Sequence, residues 1–376
     1  MPGTITVYDC ISQGRTILLE NEMPRLLQER YFPTAAIDET DARDKILLDF
    51  DEGDLQEGAY VKKGYVDGNT VSFFSNLVDV PRVAVEDGIL TSDRDRKLFE
   101  SLCREQGVLN PNKAMAMDAL LRIKAGRLVK RNSRSLEKLC AEVLKNNEIS
   151  YTCDTSPSDP TQVTVSVSYH NGTNPQVFTP AAASQNWGQS GATPYKDVCA
   201  MIKKLRTMGG RADDLLVNDA AWDILFADMQ SKGLIENQIH YTTLANGNTA
   251  GLWNEPIEDA EWVAKAIFDG HPLNVIVYNG QYKDKNNQIV NYLGDDPFAC
   301  VLSPYLGHTI CAGAVLPSPA AMLRGDDSSV CDFKTGRYIV SRYFDFKDNE
   351  VKVRCESNVL PAPMKIWSFI TYTPHA

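Results

Sequence analysis

The clearest pattern in the chain is helical. From Leu136, apolar residues recur at Leu139, Cys140, Val143 and Leu144, the spacing that lines one face of a 3.6-residue helix. Upstream, Ala114, Met115, Met117, Leu120, Leu121 and Ile123 carry a wider apolar surface back to Asn112, with Arg122, Arg127, Lys130 and Arg131 on the other side. The pattern predicts a helix over 112–146, with a break at Arg131-Asn132-Ser133 as the alternative. At ~1.5 Å per residue such a helix spans roughly 50 Å, about the width of a compact sphere of this chain length. A helix that long implies a flat or elongated subunit. Thr91-Ser92-Asp93 caps a shorter helix over about 93–106.

From Gln162 the period becomes two: Val163, Val165, Val167 and Tyr169 face one way, Thr164, Ser166, Ser168 and His170 the other. The Ala-, Ser-, Gln- and Gly-rich stretch 180–194 reads as a linker. Beyond it come a helix from Pro194 to about Met208, stopped by Gly209-Gly210, a short strand at Leu215–Val217 and a helix over about 219–230. Residues 233–256 are loop-rich. Strands follow at Leu273–Tyr278, Cys300–Leu302, Arg337–Phe346 and Val351–Cys355. Near the N-terminus, Ile46–Phe50, Ala59–Val61 and Val71–Phe74 alternate with the turn signals Gly64 and Asp67-Gly68-Asn69, predicting a long β-hairpin. That hairpin has little to bury its own face against, so it docks on a partner or moves. Residues 1–45, broken by Pro2, Pro24 and Pro33, hold too few core residues to stand alone. The order of elements predicts an α+β chain with an inserted α/β lobe.

Composition and charge narrow the chemistry. At 376 residues the chain has room for two or three lobes. Its 38 Lys+Arg against 49 Asp+Glu give a formal charge of −11, unfavourable for sequence-independent nucleic-acid binding. Nine scattered cysteines include no Cys-x-x-Cys pair, so they read as buried or incidental thiols in a reducing compartment. Neither a signal peptide nor a run of ~20 apolar residues is present, which predicts synthesis and retention in the cytoplasm and no membrane partner. No phosphate-binding glycine loop, Gly-x-Ser-x-Gly elbow or His-Glu-x-x-His occurs. Asp49, Asp51, Glu52 and Asp54 begin like a calcium loop, but its twelfth position is Tyr60 where a bidentate Glu is required. Acidic pairs such as Asp213-Asp214 and Asp295-Asp296 fit loops better than acid–base chemistry, because adjacent strand residues point apart.

One segment carries a resemblance. Strand Asn274–Tyr278, the run Tyr278-Asn279-Gly280-Gln281-Tyr282-Lys283-Asp284, a polar turn, and strand Cys300–Leu302 resemble the late axial domain of lambda-type major capsid proteins, the capsid protein E family. Members tend to show Y-N-G-x-Y-x-D there, which makes Tyr278, Asn279, Gly280, Tyr282 and Asp284 the family-like positions. The end of a strand at Pro81, the helix start at Thr91-Ser92-Asp93 and the Arg131…Glu137…Leu144 helix are similar to the same family.

The resemblance implies a tailed-bacteriophage capsid subunit with the Hong Kong 97-type fold. It would have an N-terminal arm (1–45), an extended E-loop hairpin (46–82) and a peripheral domain (83–190 and 331–376). A spine helix (112–146) would cross the peripheral domain, with 160–180 and 335–370 forming its sheet, and 191–330 would be the axial domain. Asp49, Asp51, Lys62, Lys63 and Tyr65 then become inter-subunit candidates; Lys62 and Lys63 are cross-link candidates by residue type, with a solvated charge pair as the plainer reading. Arg122, Arg127 and Arg131 would lie on the polar side of the spine helix, facing packaged DNA or a neighbour. The implied function is self-assembly into hexamers and pentamers of an icosahedral head around double-stranded DNA, with no catalytic residue, metal or cofactor. Implied partners are other copies of the chain, a separate scaffolding protein, a portal and a decoration protein. An encapsulin-like nanocompartment shell is the alternative, ahead of a carboxylate-dependent hydrolase or a tail-adhesion module.

Overall fold

The helical stripe folds as one unbroken helix, with neighbouring strands built around it. The computed structural model describes residues 25–33, 45–51, 73–79, 82–88, 93–105, 113–156, 159–170, 173–234, 239–241, 260–284, 286–304, 306–311, 329–331, 339–345, 350–363 and 366–375. A first helix, α1 (Asp93–Glu105), is followed by α2 (Lys113–Asn146), 34 residues long. Leu136, Leu139, Cys140, Val143 and Leu144 are all buried, as their spacing requires. The alternative break at 131–133 does not occur. Asn132 turns inward instead: its amide donates to the Val83 carbonyl at 3.4 Å and its oxygen accepts from Ser357 Oγ at 2.5 Å. A polar residue can stay in a buried helix when both halves of its amide are satisfied. Asn147 ends the helix with φ +53, a left-handed turn that asparagine tolerates.

Two sheets carry the rest of the described core. In the first, β3 (Arg82–Gly88) and β16 (Ile339–Asp345) flank the 13-residue β17 (Glu350–Ala362); β14 (His308–Cys311) also pairs with β17, and β15 (Ser329–Cys331) pairs with β16. Val353 and Cys355 of β17 meet Leu120, Leu128 and Val129 of α2 in one apolar cluster.

The second sheet is mixed, with seven strands. Its centre is β7 (Asp214–Val217), parallel to β10 (His271–Tyr278) and antiparallel to β13 (Ala299–Leu302). Outward from β10 lie β9 (Ala260–Phe268) and β8 (Ile239–Tyr241); outward from β13 lie β18 (Phe369–Tyr372) and β6 (Val177–Phe178). The centre is buried on both faces, which is why its strands read as unbroken apolar runs. Leu215, Val217, Val275, Val277 and Val301 join a cluster with Val198, Ile202 and Leu205 of α3 (Pro194–Thr207) and Leu225 of α4 (Asp219–Ser231). The alternate residues Leu216, Ile276, Cys300 and Leu302 face a cluster that holds the C-terminal half of α2.

Several strands depart from expectation. β5 (Asp159–Ser168) pairs with β4 (Glu148–Ser156) in a separate two-stranded sheet and does not join β16 and β17, while β18 enters the mixed sheet. Of the segments 160–180 and 335–370, only β6 and β18 share a sheet, and it is the mixed one; β5 is paired apart from β16 and β17. The reason lies in β18: Phe369 and Ile370 have apolar partners on both faces, which only the centrally buried sheet supplies. β9 was not predicted, because its inward residues Ala260, Ala264 and Ala266 are small and a bulge at Val263 breaks the period of two. The predicted N-terminal hairpin has its base in β1 (Lys45–Asp51) and β2 (Phe73–Asp79), paired over seven residues from Lys45–Asp79 to Asp51–Phe73.

Candidate functional site

The densest polar arrangement in the described core is a seam where the 25–33 segment, α2 and both sheets meet. Leu26, Leu27, Tyr31 and Phe32 are fully buried around the π-turn Leu27–Tyr31. This part of the predicted arm thus has its partner within the same subunit. Glu137 reaches it from α2: Oε1 accepts from the Leu27 amide at 2.9 Å and from Tyr278 Oη at 2.8 Å, and Oε2 accepts from the Gln28 amide at 3.1 Å. Burial pushes the Glu137 carboxyl up from 4.5 to about 7, against the pull of those same donors. Arg30 makes a two-pronged pair with Asp214 on β7, through Nε at 2.7 Å and Nη2 at 2.9 Å. Asn274 adds a bond to Asp214 at 3.0 Å, and Tyr31 Oη donates to it at 3.3 Å. Burial opposes the Arg30 charge, but the Asp214 bond and charge outweigh it and raise its pKa.

The other sheet closes the seam. The Gly307 amide donates to the Tyr31 carbonyl at 3.1 Å, and Thr309 donates from its amide to the Pro33 carbonyl and from Oγ1 to the Phe32 carbonyl. A Cβ at Gly307 would overlap the Ala362 carbonyl, so the backbones can meet there only without a side chain.

The family-like run 278–284 belongs to the same joint. Tyr278 stacks on Tyr292 with rings 7° from parallel while its hydroxyl holds Glu137. Gly280 follows because the Tyr278 phenol folds back over it, filling the space a Cβ would need. Asn279 Oδ1 accepts from the Asp219 amide at 3.2 Å at the start of α4, beside the N-cap Asn218. Tyr282 stacks on Tyr292 at 5.0 Å and lies 5.7 Å from Lys138 Nζ on α2. Asp284 Oδ1 accepts from the Asn286 and Gln288 amides, both at 2.8 Å, which closes the hairpin of β11 (Gln281–Lys283) and β12 (Ile289–Asn291). Each of the five family-like residues does geometric work: it starts a helix, turns a hairpin or fixes strand to helix.

The other nominated residues are dispersed. Asp49 and Asp51 lie in β1 opposite Ser75 and Phe73, whereas Lys62, Lys63 and Tyr65 fall outside the described residues. Arg127 and Arg131 are exposed on α2. Arg122 does not share their face: at about 100° per residue its position is roughly 180° round the helix from Arg131. Sequence reasoning missed Glu137, Arg30 and Asp214 as a set, although a carboxylate flanked by buried Leu136, Cys140 and Ala141 was a visible signal. It also missed Lys124, almost fully buried, whose Nζ meets Asp95 at 2.6 Å, Asp87 at 3.3 Å and the Gly88 carbonyl, tying α1, α2 and β3 together. Among the described residues no three His, Cys, Asp or Glu side chains are grouped to hold a metal, and no helix is long and apolar enough to cross a membrane.

A long helix between two sheets, with polar side chains locking the elements together, gives the mixed helix-and-strand architecture of Hong Kong 97-like phage capsids. The crystal structure of a protein assigned as a prophage capsid protein of E. coli CFT073 is similar over 97% of this chain and 98% of that chain, with a TM-score of 0.59 at 12% identity. The sequence matches the family "Phage major capsid protein E" over residues 99–373, and the chain belongs to that family. It is a phage major capsid protein, a structural component of the virion that assembles with copies of itself, in a family that is not an enzyme class. The capsid of cyanophage P-SCSP1u is similar over 94% of this chain and 89% of that one (TM-score 0.45, 7% identity). The SrpI encapsulin complex of Synechococcus elongatus PCC 7942 is similar over 95% and 91% (TM-score 0.39, 10% identity). Among curated proteins no sequence matches.

Proposed function

We propose that the subunit builds an icosahedral head of hexamers and pentamers around double-stranded DNA, with 46–82 as an E-loop laid over a neighbouring subunit. In this reading 1–45 is the N-terminal arm, 83–190 and 331–376 are the peripheral domain with spine helix 112–146, and 191–330 is the axial domain. Assembly takes place in the host cytoplasm on a separate scaffolding protein and a portal, with a decoration protein as a later partner. The observation that supports it is the β1–β2 pair. It keeps a full seven-residue register yet joins neither of the larger sheets, and within the subunit its main contact among the described strands is with β5 of the small β4–β5 pair. A two-stranded hairpin is marginal in water on its own, and a stable contact between subunits buries on the order of 1,600 Å². A neighbouring copy supplies that area.

The test is a chain in which residues 47–77 are replaced by a short Gly-Ser linker. The reading expects the far-ultraviolet circular dichroism and melting of a folded subunit, with shells lost under conditions where the intact chain forms them. Shells of unchanged yield and diameter would refute the E-loop assignment.

A further inference from the structure

The negative net charge of the chain conceals a local exception on α2. Between Lys124 and Leu136 the sequence contains no Asp or Glu. Arg127, Arg131, Arg134 and Lys138 are all exposed, and at about 100° per residue they fall within roughly 60° of arc. Their rises along the axis, relative to Arg127, are about 6, 10.5 and 16.5 Å. The opposite side of this stretch is fully occupied: Ser133 and Glu137 hold the 25–33 segment, and Leu128 and Val129 face β17. Among the described residues no carboxylate pairs with any of the three arginines. Lys138 is shared with Glu142 at 3.6 Å and stands over Tyr282, itself stacked on Tyr292, so one end of the cationic line abuts an aromatic pair.

We propose that Arg127, Arg131, Arg134 and Lys138 form a stripe that binds the phosphate backbone of duplex DNA enclosed by the shell. The proposal rests on the capsid reading above and replaces the grouping of Arg122 with Arg127 and Arg131. Three features favour DNA over the surface of another copy. Guanidinium groups hold three of the four places, and their planar fork suits phosphate oxygens. The stripe is straight and lacks interleaved carboxylates, as suits a ligand with about one charge per 1.7 Å of its axis and no fixed register. Nothing in it encodes base recognition, which a shell that encloses any sequence does not need.

The experiment measures binding of full-length unassembled subunits to a short duplex of random sequence across a salt series, with electron microscopy of assembly reactions from the same preparations. The wild-type chain should bind weakly, with affinity falling steeply as salt rises. R127Q/R131Q/R134Q/K138Q should lower the magnitude of the log–log salt slope by about 3–4, at ~0.9 for each phosphate that is no longer neutralised, and still form shells. R127K/R131K/R134K keeps every charge and should keep the wild-type slope. Three results would overturn the proposal: an unchanged slope in the Gln variant, a lost slope in the Lys variant, or unaltered DNA binding with loss of shells. The last would make the stripe a contact between subunits. If the wild-type chain never forms shells while the slopes behave as described, the capsid reading fails and the stripe stands.

Discussion

Replacing Glu137 by Gln tests the buried seam quantitatively. The amide oxygen can keep the bonds from the Leu27 amide and Tyr278 Oη, both now made to Oε1, but its NH2 group then faces the Gln28 amide, donor against donor. One unsatisfied buried donor costs about 1–3 kcal/mol at any pH. The wild-type carboxyl carries a cost that varies with pH. Its pKa is about 7 when folded against 4.5 ordinarily, and at ~1.4 kcal/mol per pH unit that gap amounts to about 3 kcal/mol. Because the folded pKa is raised, the stabilising contribution is complete below pH 4.5, declines through the interval and is gone above about pH 7. Wild type should therefore exceed the Gln variant by about 1–3 kcal/mol at pH 4.5, and the difference should fall by about 3 kcal/mol by pH 7.5. Urea unfolding of dilute, unassembled subunits at several pH values measures it, since other titrating groups cancel in the difference. A difference that stays constant from pH 4.5 to 7.5 would mean that Glu137 is solvated and the seam is open.

Tyr278→Phe removes a donor that favours the ionised carboxyl, so the pH-dependent decline should extend above 7 in the same assay. Arg30→Ala leaves the fully buried Asp214 carboxylate without its cation and should cost about 3–5 kcal/mol in urea unfolding; a loss below about 1 kcal/mol would place that pair in solvent. Gly280→Ala should displace the Tyr278 ring, lower the melting temperature and, by withdrawing the same donor, extend the pH-dependent decline of Glu137 upward as Tyr278→Phe does. Burial pushes the Cys300 and Cys355 thiols up to about 12, so an aromatic disulfide reagent at pH 8 should modify neither until the subunit unfolds; rapid labelling of either in the native state would contradict the placement of β13 or β17.

Elements with a strong local period were legible in the sequence. Leu136 to Leu144 marked α2, and Leu215–Val217 and Leu273–Tyr278 marked the central strands, because burial on one or both faces leaves a plain apolar signature. β9 escaped because Ala260, Ala264 and Ala266 pack closely without the bulk that signals a strand. The seam escaped for a different reason. Arg30, Glu137, Asp214 and Tyr278 span most of the chain, and local periodicity cannot say which buried carboxylate meets which donor. Tyr278-Asn279-Gly280 was conspicuous as letters, but its purpose, a ring folded over a glycine to reach Glu137, is visible only in three dimensions.

The central claim, that this chain exists to build a shell, is tested most directly by electron microscopy of the full-length protein expressed alone and together with the scaffolding protein proposed above. The account predicts closed shells assembled from hexamers and pentamers of this one chain. Monodisperse monomers under every assembly condition would contradict it.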